Sequence, residues 1–158
     1  MVDSVMKQEA YRLIDKMPDE TVHLLVEFIY QLSPKEKKSR ATSGSLIKRY
    51  TENVEKLKRI SELKDNWNEN GAKAFPKSQI EKVSNILTYL DNQPEIFPTA
   101  CDSIQLEFDN GKNHLEIEIF NNDNAETYCV DEDGKETFGT VPAEGTKIND
   151  FVWRFYGQ

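Results

Sequence analysis

The sequence predicts an α+β fold, on three observations. Apolar residues recur at helical spacing as far as about residue 90, the period changes to two after Ser103, and glycine-containing turns separate the alternating runs. The arrangement expected is a helical hairpin arm over residues 1–33, a linker over 34–45, and an α+β domain over 46–158. In that domain helices pack on a four-stranded antiparallel β-meander that a C-terminal helix closes.

In the arm, Met6, Ala10, Leu13, Ile14 and Met17 make one stripe behind Asp3 or Ser4 as N-cap. Pro18, followed by Asp19 and Glu20, suits the first turn of a second helix, where no N–H is needed and the dipole favours acids. That helix carries two apolar rows, Val22/Leu25/Val26/Ile29 and Leu24/Phe28/Leu32, of which a hairpin partner can cover only one. Leu24, Phe28 and Leu32 are therefore the candidate self-association residues, and a homodimer through the arm is expected. Ser33 to Ser45 holds a proline, a glycine, four serines and four basic residues, the composition of a linker.

Beyond the linker, Leu46, Ile47, Tyr50, Val54, Leu57, Ile60 and Leu63 form a long amphipathic stripe. A loop from Lys64 to Pro76 leads to a helix with Ile80, Val83, Ile86, Leu87 and Leu90 inward, and Pro94 and Pro98 close the helical half. Ile104/Leu106/Phe108 and Leu115/Ile117/Ile119 then alternate with polar residues around Asn110-Gly111, a hairpin signal. A two-residue turn at Asn110-Gly111, or a four-residue loop through Asn113, sets both triplets on one face; a three-residue loop does not. A second hairpin joins Glu126–Val130 to Glu136–Val141 at Asp133-Gly134. Ile148, Phe151, Val152 and Phe155 after Thr146 read as the closing helix, although Phe151, Trp153 and Phe155 also alternate as a strand would.

Composition narrows the function classes. The longest apolar run, Val22 to Tyr30, is broken by His23 and Glu27, so no membrane span is expected. The N-terminal residues lack a basic-then-apolar leader, so a cytoplasmic setting is the expectation. Cys101 and Cys129 read as free thiols, and His23 and His114 lie too far apart for a zinc-ligand spacing, so no metal and no cofactor are expected. The net charge of −8 is unevenly spread: residues 35–64 carry +6 and residues 65–158 carry −11. The acidic part favours a basic partner over nucleic acid.

Glu107, Glu116 and Glu118 share the outward face of the first hairpin, and the four-residue register sets Glu107 opposite Glu116. Paired carboxylates suit general acid–base work or a metal; a docking surface for a basic protein and plain solvated strands are the competing readings. Cys101 or Cys129 with His114 lacks a third orienting group or an oxyanion loop, so no catalytic residue is assigned. In Asp131-Glu132-Asp133-Gly134 the glycine comes too early for a calcium loop, and a turn is expected. Trp67 stands at the end of a helix near Gly71: it reads as a structural corner, with a partner-binding edge as the alternative.

Two stretches carry resemblances. Lys7 to Leu32, with Ile14-Asp15-Lys16, Pro18-Asp19-Glu20 and Phe28-Ile29, resembles the helical hairpin at the N-terminus of small bacterial antitoxin-like proteins. Trp67-Asn68-Glu69-Asn70-Gly71-Ala72, Pro76, Pro98-Thr99 and Ile104 to Phe108 look like an uncharacterised bacterial family with a W-x-x-x-G-A motif. That family has an aspartate-glycine pair and a Glu-Trp strand end where this chain has Asp102-Ser103 and Glu107-Phe108. The first resemblance implies a non-catalytic binding protein of antitoxin or immunity kind, and the second family lends no established chemistry. With the −11 charge, a basic protein is the expected partner, and Glu107, Glu116, Glu118 and Trp67 are its candidate contacts. The rivals are a DNA-contacting regulator using residues 35–64 and a carboxylate-dependent hydrolase.

Overall fold

The computed structural model describes residues 40–157 and, before them, residues 9–10, 12–18, 21–22 and 25. The chain divides into two compact units, Met1–Thr42 and Ser43–Gln158. In the first, the described residues are helical at 9–10 and 12–14, turn at 15–17, and are helical again at 21–22 and 25. The N–H groups of Thr21 and Val22 both donate to the Pro18 carbonyl, at 2.8 and 3.1 Å, so the proline opens the second helical stretch as its missing donor allows. Leu24, Phe28 and Leu32 lie outside the described residues, as does the pairing of the two stretches into a hairpin.

The second unit is built on helix α1 (Arg40–Ser61), α2 (Lys77–Tyr89), strands β1 (Glu95–Pro98), β2 (Ile104–Asn110), β3 (Asn113–Ile119), β4 (Asn124–Val130) and β5 (Glu136–Pro142), and α3 (Gly145–Phe155). The sheet is an antiparallel meander in the order β1-β2-β3-β4-β5. It has five strands, where the sequence pattern predicts four. The additional strand, Glu95–Pro98, lies where the sequence pattern gives Pro94 and Pro98 only as the close of the helical half. It pairs Glu95 with Glu107 and Pro98 with Ile104, and as a four-residue edge it tolerates a proline that a central ladder would reject. Helix α1 begins at Arg40, six residues before the first apolar position of its stripe.

The core lies between the helices and one face of the sheet. Leu57 and Ile60 from α1, Val83, Ile86 and Leu87 from α2, and Ile148 and Val152 from α3 meet Ile96, Leu106, Phe108, Ile117 and Ile119. In α1 the buried phase runs through Asn53 and not Val54, which is exposed. Asn53 is inside because its Nδ2 donates to the Pro94 carbonyl at 2.9 Å, fastening the helix to the start of β1. Gln79 does the same for α2: buried, it donates to the carbonyls of Asp102 and Ile119 at 2.9 and 2.8 Å.

Two turns fix the register of the outer face. Asn110 pairs with Asn113, leaving Gly111-Lys112 as the turn, with Gly111 at φ 66° in the first central position, where a type II′ turn needs glycine. This is the register of the four-residue reading, and it sets Glu107 opposite Glu116. The 131–135 segment is a turn as expected, closed by the Asp131 carboxylate, which accepts the N–H groups of Asp133 and Lys135 at 3.0 and 2.9 Å. The closing helix is present, and its N-terminal Gly145 is required by packing: a Cβ there would meet the Tyr89 ring Cγ at 2.7 Å.

Candidate functional site

On the face of the sheet turned away from the core, the register builds one row across all five strands: Glu95, Glu107, Glu116, Tyr128, Phe138. A second row runs Phe97, Gln105, Glu118, Glu126, Thr140, and a third sets Asp109, His114, Val130 and Glu136 in line. The three glutamates singled out from sequence are thus brought together. The structure adds carboxylates on both sides of them and an aromatic pair at one end.

Several of these side chains have a defined neighbour. Ser103 Oγ donates to Glu118 at 2.9 Å, and Gln105 Nε2 donates to Glu107 at 3.0 Å. The Tyr128 hydroxyl donates to Glu136 at 3.0 Å, and its ring lies 5.0 Å from that of Phe138, tilted by 38°. Phe138 is 73% exposed, an unusual position for a phenylalanine. A shallow groove of about 390 Å³ is lined by Glu116, Glu118, Glu126, Thr127, Tyr128, Glu136 and Phe138.

His114 lies among the acids. Its Nδ1 is 2.8 Å from Asp109 and its Nε2 is 3.2 Å from Glu116. The hydrogen bond to Asp109, then that to Glu116, raise the His114 pKa above its ordinary value against the opposing effect of partial burial. Glu107 is held above the usual carboxylate range, first by partial burial and then by Glu116, Asp109 and Glu95, while His114 opposes this. The like-charge crowding expected of the Glu107–Glu116 pair is therefore present and partly offset by an imidazole.

The remaining candidates lie elsewhere. Trp67 sits in the α1–α2 loop, donates from Nε1 to the Lys73 carbonyl at 3.1 Å and packs at 6.2 Å from Phe75. Around it Gly71 takes φ 88°, and the Asn66 and Asn68 side chains accept the Gly71 and Ala72 N–H groups. This is the geometry of a corner, off the acidic face. Cys101 and Cys129 are free thiols. Leu115 pairs with Cys129, so that cysteine faces the core side, while His114 faces the other, and the two cannot form a nucleophile–base pair. Burial raises the Cys129 pKa further, the opposite of an activated thiol. Among the described residues no group of three or more His, Cys, Asp or Glu side chains is placed to hold a metal ion, and no helix is long and apolar enough to cross a membrane.

The sequence reading missed Glu95, Asp109, His114, Glu126, Tyr128, Glu136 and Phe138 as members of this face. For all but Glu95 the signal was present: once Glu107 opposes Glu116, period two puts Asp109 and His114 on the same side, and the second hairpin continues the rows. Glu95 gave none, because four residues between prolines carry no period.

Comparison of the chain with protein-family models, with curated proteins and with solved structures gives no match.

Proposed function

We propose that this chain is a non-catalytic protein-binding module of antitoxin or immunity kind, whose outer sheet face docks a basic partner protein. The observation that carries this is the combination on one open face of Glu107, Glu116, Glu118, Glu126 and Glu136 with the half-buried Tyr128 and the exposed Phe138 packed on it. Carboxylates steer and orient a basic surface over a Debye length, roughly 8–10 Å, and an aromatic pair with one ring open to solvent supplies the contact area that charge alone does not. The −11 of residues 65–158 acts in the same direction.

A hydrolytic role is disfavoured by the geometry of the carboxylates. Glu107 stands outside the lining of the groove that Glu116 borders, and that groove is shallow, so it does not bring the two carboxylates together around a substrate. Against a nucleic-acid role for residues 35–64, two of the basic side chains of α1 are engaged by β1. Arg49 lies 3.1 Å from Glu95, and Lys56 Nζ lies 3.9 Å from the Phe97 ring centroid. The proposal includes a cytoplasmic setting and self-association through residues 1–33.

The test is affinity capture of the tagged protein from its own cells at moderate salt, in parallel with the variant Glu107→Gln/Glu116→Gln/Glu118→Gln. A basic protein is expected to co-purify with the wild type and to fall by about tenfold or more with the variant, whose thermal midpoint stays level or rises slightly. Undiminished capture by the variant would overturn the docking face.

A further inference from the structure

The two edges of the sheet are treated differently. β1 is four residues long, and α1 lies against it through Arg49 on Glu95, Lys56 on Phe97 and Asn53 on the Pro94 carbonyl. Such a short, covered, cation-guarded edge is a common defence against strand pairing. β5 has none of these features. It is seven residues long, exposed from Glu136 through Thr140, and contains no lysine or arginine.

Which backbone groups of β5 point outward follows from the ends of its ladder. Asp131 N–H donates to the Lys135 carbonyl at 3.1 Å, and Ala143 N–H donates to the Asp123 carbonyl at 2.9 Å. Both are closely spaced hydrogen-bonded pairs, and alternation between them makes Thr137, Gly139 and Val141 the residues that bond to β4. Glu136, Phe138 and Thr140 therefore direct N–H and C=O to the free edge, and among the described residues nothing bonds them there. Pro142, which has no N–H, ends the run. The same three residues put their side chains on the outer face beside the groove.

We propose that the β5 edge and the acidic, aromatic groove beside it form one docking surface, on which an extended basic segment of the partner protein adds as a further strand. The proposal rests on the docking reading above and deepens it by naming the form of the partner. Charge selects the occupant. A strand added antiparallel to β5 sets every second side chain on the outer face. A long cation opposite Phe138 lies over its ring, and one opposite the short Thr140 reaches across it to Glu126. The outer positions of β4 and β5 hold no basic residue to repel it.

The test is amide hydrogen exchange by NMR on the full chain, with and without a nine-residue peptide alternating arginine and threonine, together with binding of two alternately N-methylated forms. Protection of the Glu136, Phe138 and Thr140 amides is expected on adding the peptide. In antiparallel addition the arginine amides face β5, so methylating them weakens binding by about tenfold or more while methylating the threonine amides leaves it within about twofold. The reverse order would be parallel addition and would also support the proposal. Thr140→Pro, which removes an outward N–H and leaves the β4 ladder intact, is expected to weaken the peptide by a similar factor with an unchanged thermal midpoint. Equal affinity of the two methylated peptides, with binding still sensitive to Glu107→Gln/Glu116→Gln/Glu118→Gln, would overturn strand addition and leave the docking face standing. Absence of binding by any of the peptides would overturn both. Protection of the three amides before peptide is added would also overturn the proposal, assigning the edge to a second copy if Thr140→Pro turns a dimer into a monomer, and otherwise to another segment of the same chain.

Discussion

At the scale of single residues, the outer face is a crowd of carboxylates with one imidazole between Asp109 and Glu116. His114 and Glu107, both with raised pKa, each lower stability as pH rises, in different ranges. The pKa of His114 is raised in the folded chain by Asp109 and Glu116. Its stabilising contribution is therefore complete below the ordinary value of 6.5 and is lost as pH rises through the folded value. His114→Gln is expected to lower the thermal midpoint at about pH 5.5 and to have little effect at about pH 8.5. An equal loss at both would show that the ring acts through packing. Glu107 is likewise raised, but for a carboxylate this means that the folded state resists its ionisation, so the charged form destabilises. Glu107→Gln is expected to raise the midpoint at neutral pH, with the gain vanishing below the ordinary value of 4.5, where both side chains are neutral. Calorimetric scans of the two proteins across that range check the sign.

At the scale of elements, the positions that fasten helices to the sheet are polar, and hydrophobic periodicity cannot find them. Gln79 joins α2 to the loop before β2 and to the end of β3 through two carbonyls. Gln79→Leu keeps the volume but leaves both carbonyls without that donor, which costs about 1–3 kcal/mol for each one that water does not reach. A lower urea midpoint with an unchanged slope is the expected outcome, and no change in midpoint would mean that water replaces the amide. The stripes of α2 and α3 and the two hairpins were legible because their apolar residues repeat at 3.6 or at 2 and glycine marks the turns. Asn53 was not, because an asparagine in the buried phase of α1 resembles a break in the stripe until its partner, the Pro94 carbonyl, is known. β1 was not, because its pairing depends on β2 and not on any local pattern. The candidate site was legible to the same degree: the first hairpin gave Glu107, Glu116 and Glu118 directly, whereas Tyr128 and Phe138 join them only through the ladder between β3, β4 and β5.

At the scale of the whole molecule, the division at Thr42 and Ser43 separates a unit with its own core from an N-terminal unit whose sequence is expected to carry more apolar residues than a hairpin can cover. The second unit buries Ile86, Leu106, Ile117 and Ile148 among its own elements. The arm is different. Its second helix, as read from sequence, carries Leu24, Phe28 and Leu32 on a row that its hairpin partner leaves open. Removing such side chains from water is worth about 1.5–3 kcal/mol each, which is enough for a few of them to hold two arms together at micromolar concentration. The protein is accordingly expected to sediment as a dimer, and Leu24→Glu with Phe28→Glu to give a folded monomer, since two buried carboxylates per arm would each face an apolar surface without a partner. A chain beginning at Ser43 is expected to be monomeric and to keep the wild-type far-ultraviolet signature of the sheet. A wild-type monomer, or a dimer that survives loss of residues 1–42, would contradict association through the arm. The second outcome would move the contact to the open edge of β5, where Thr140→Pro would dissolve it.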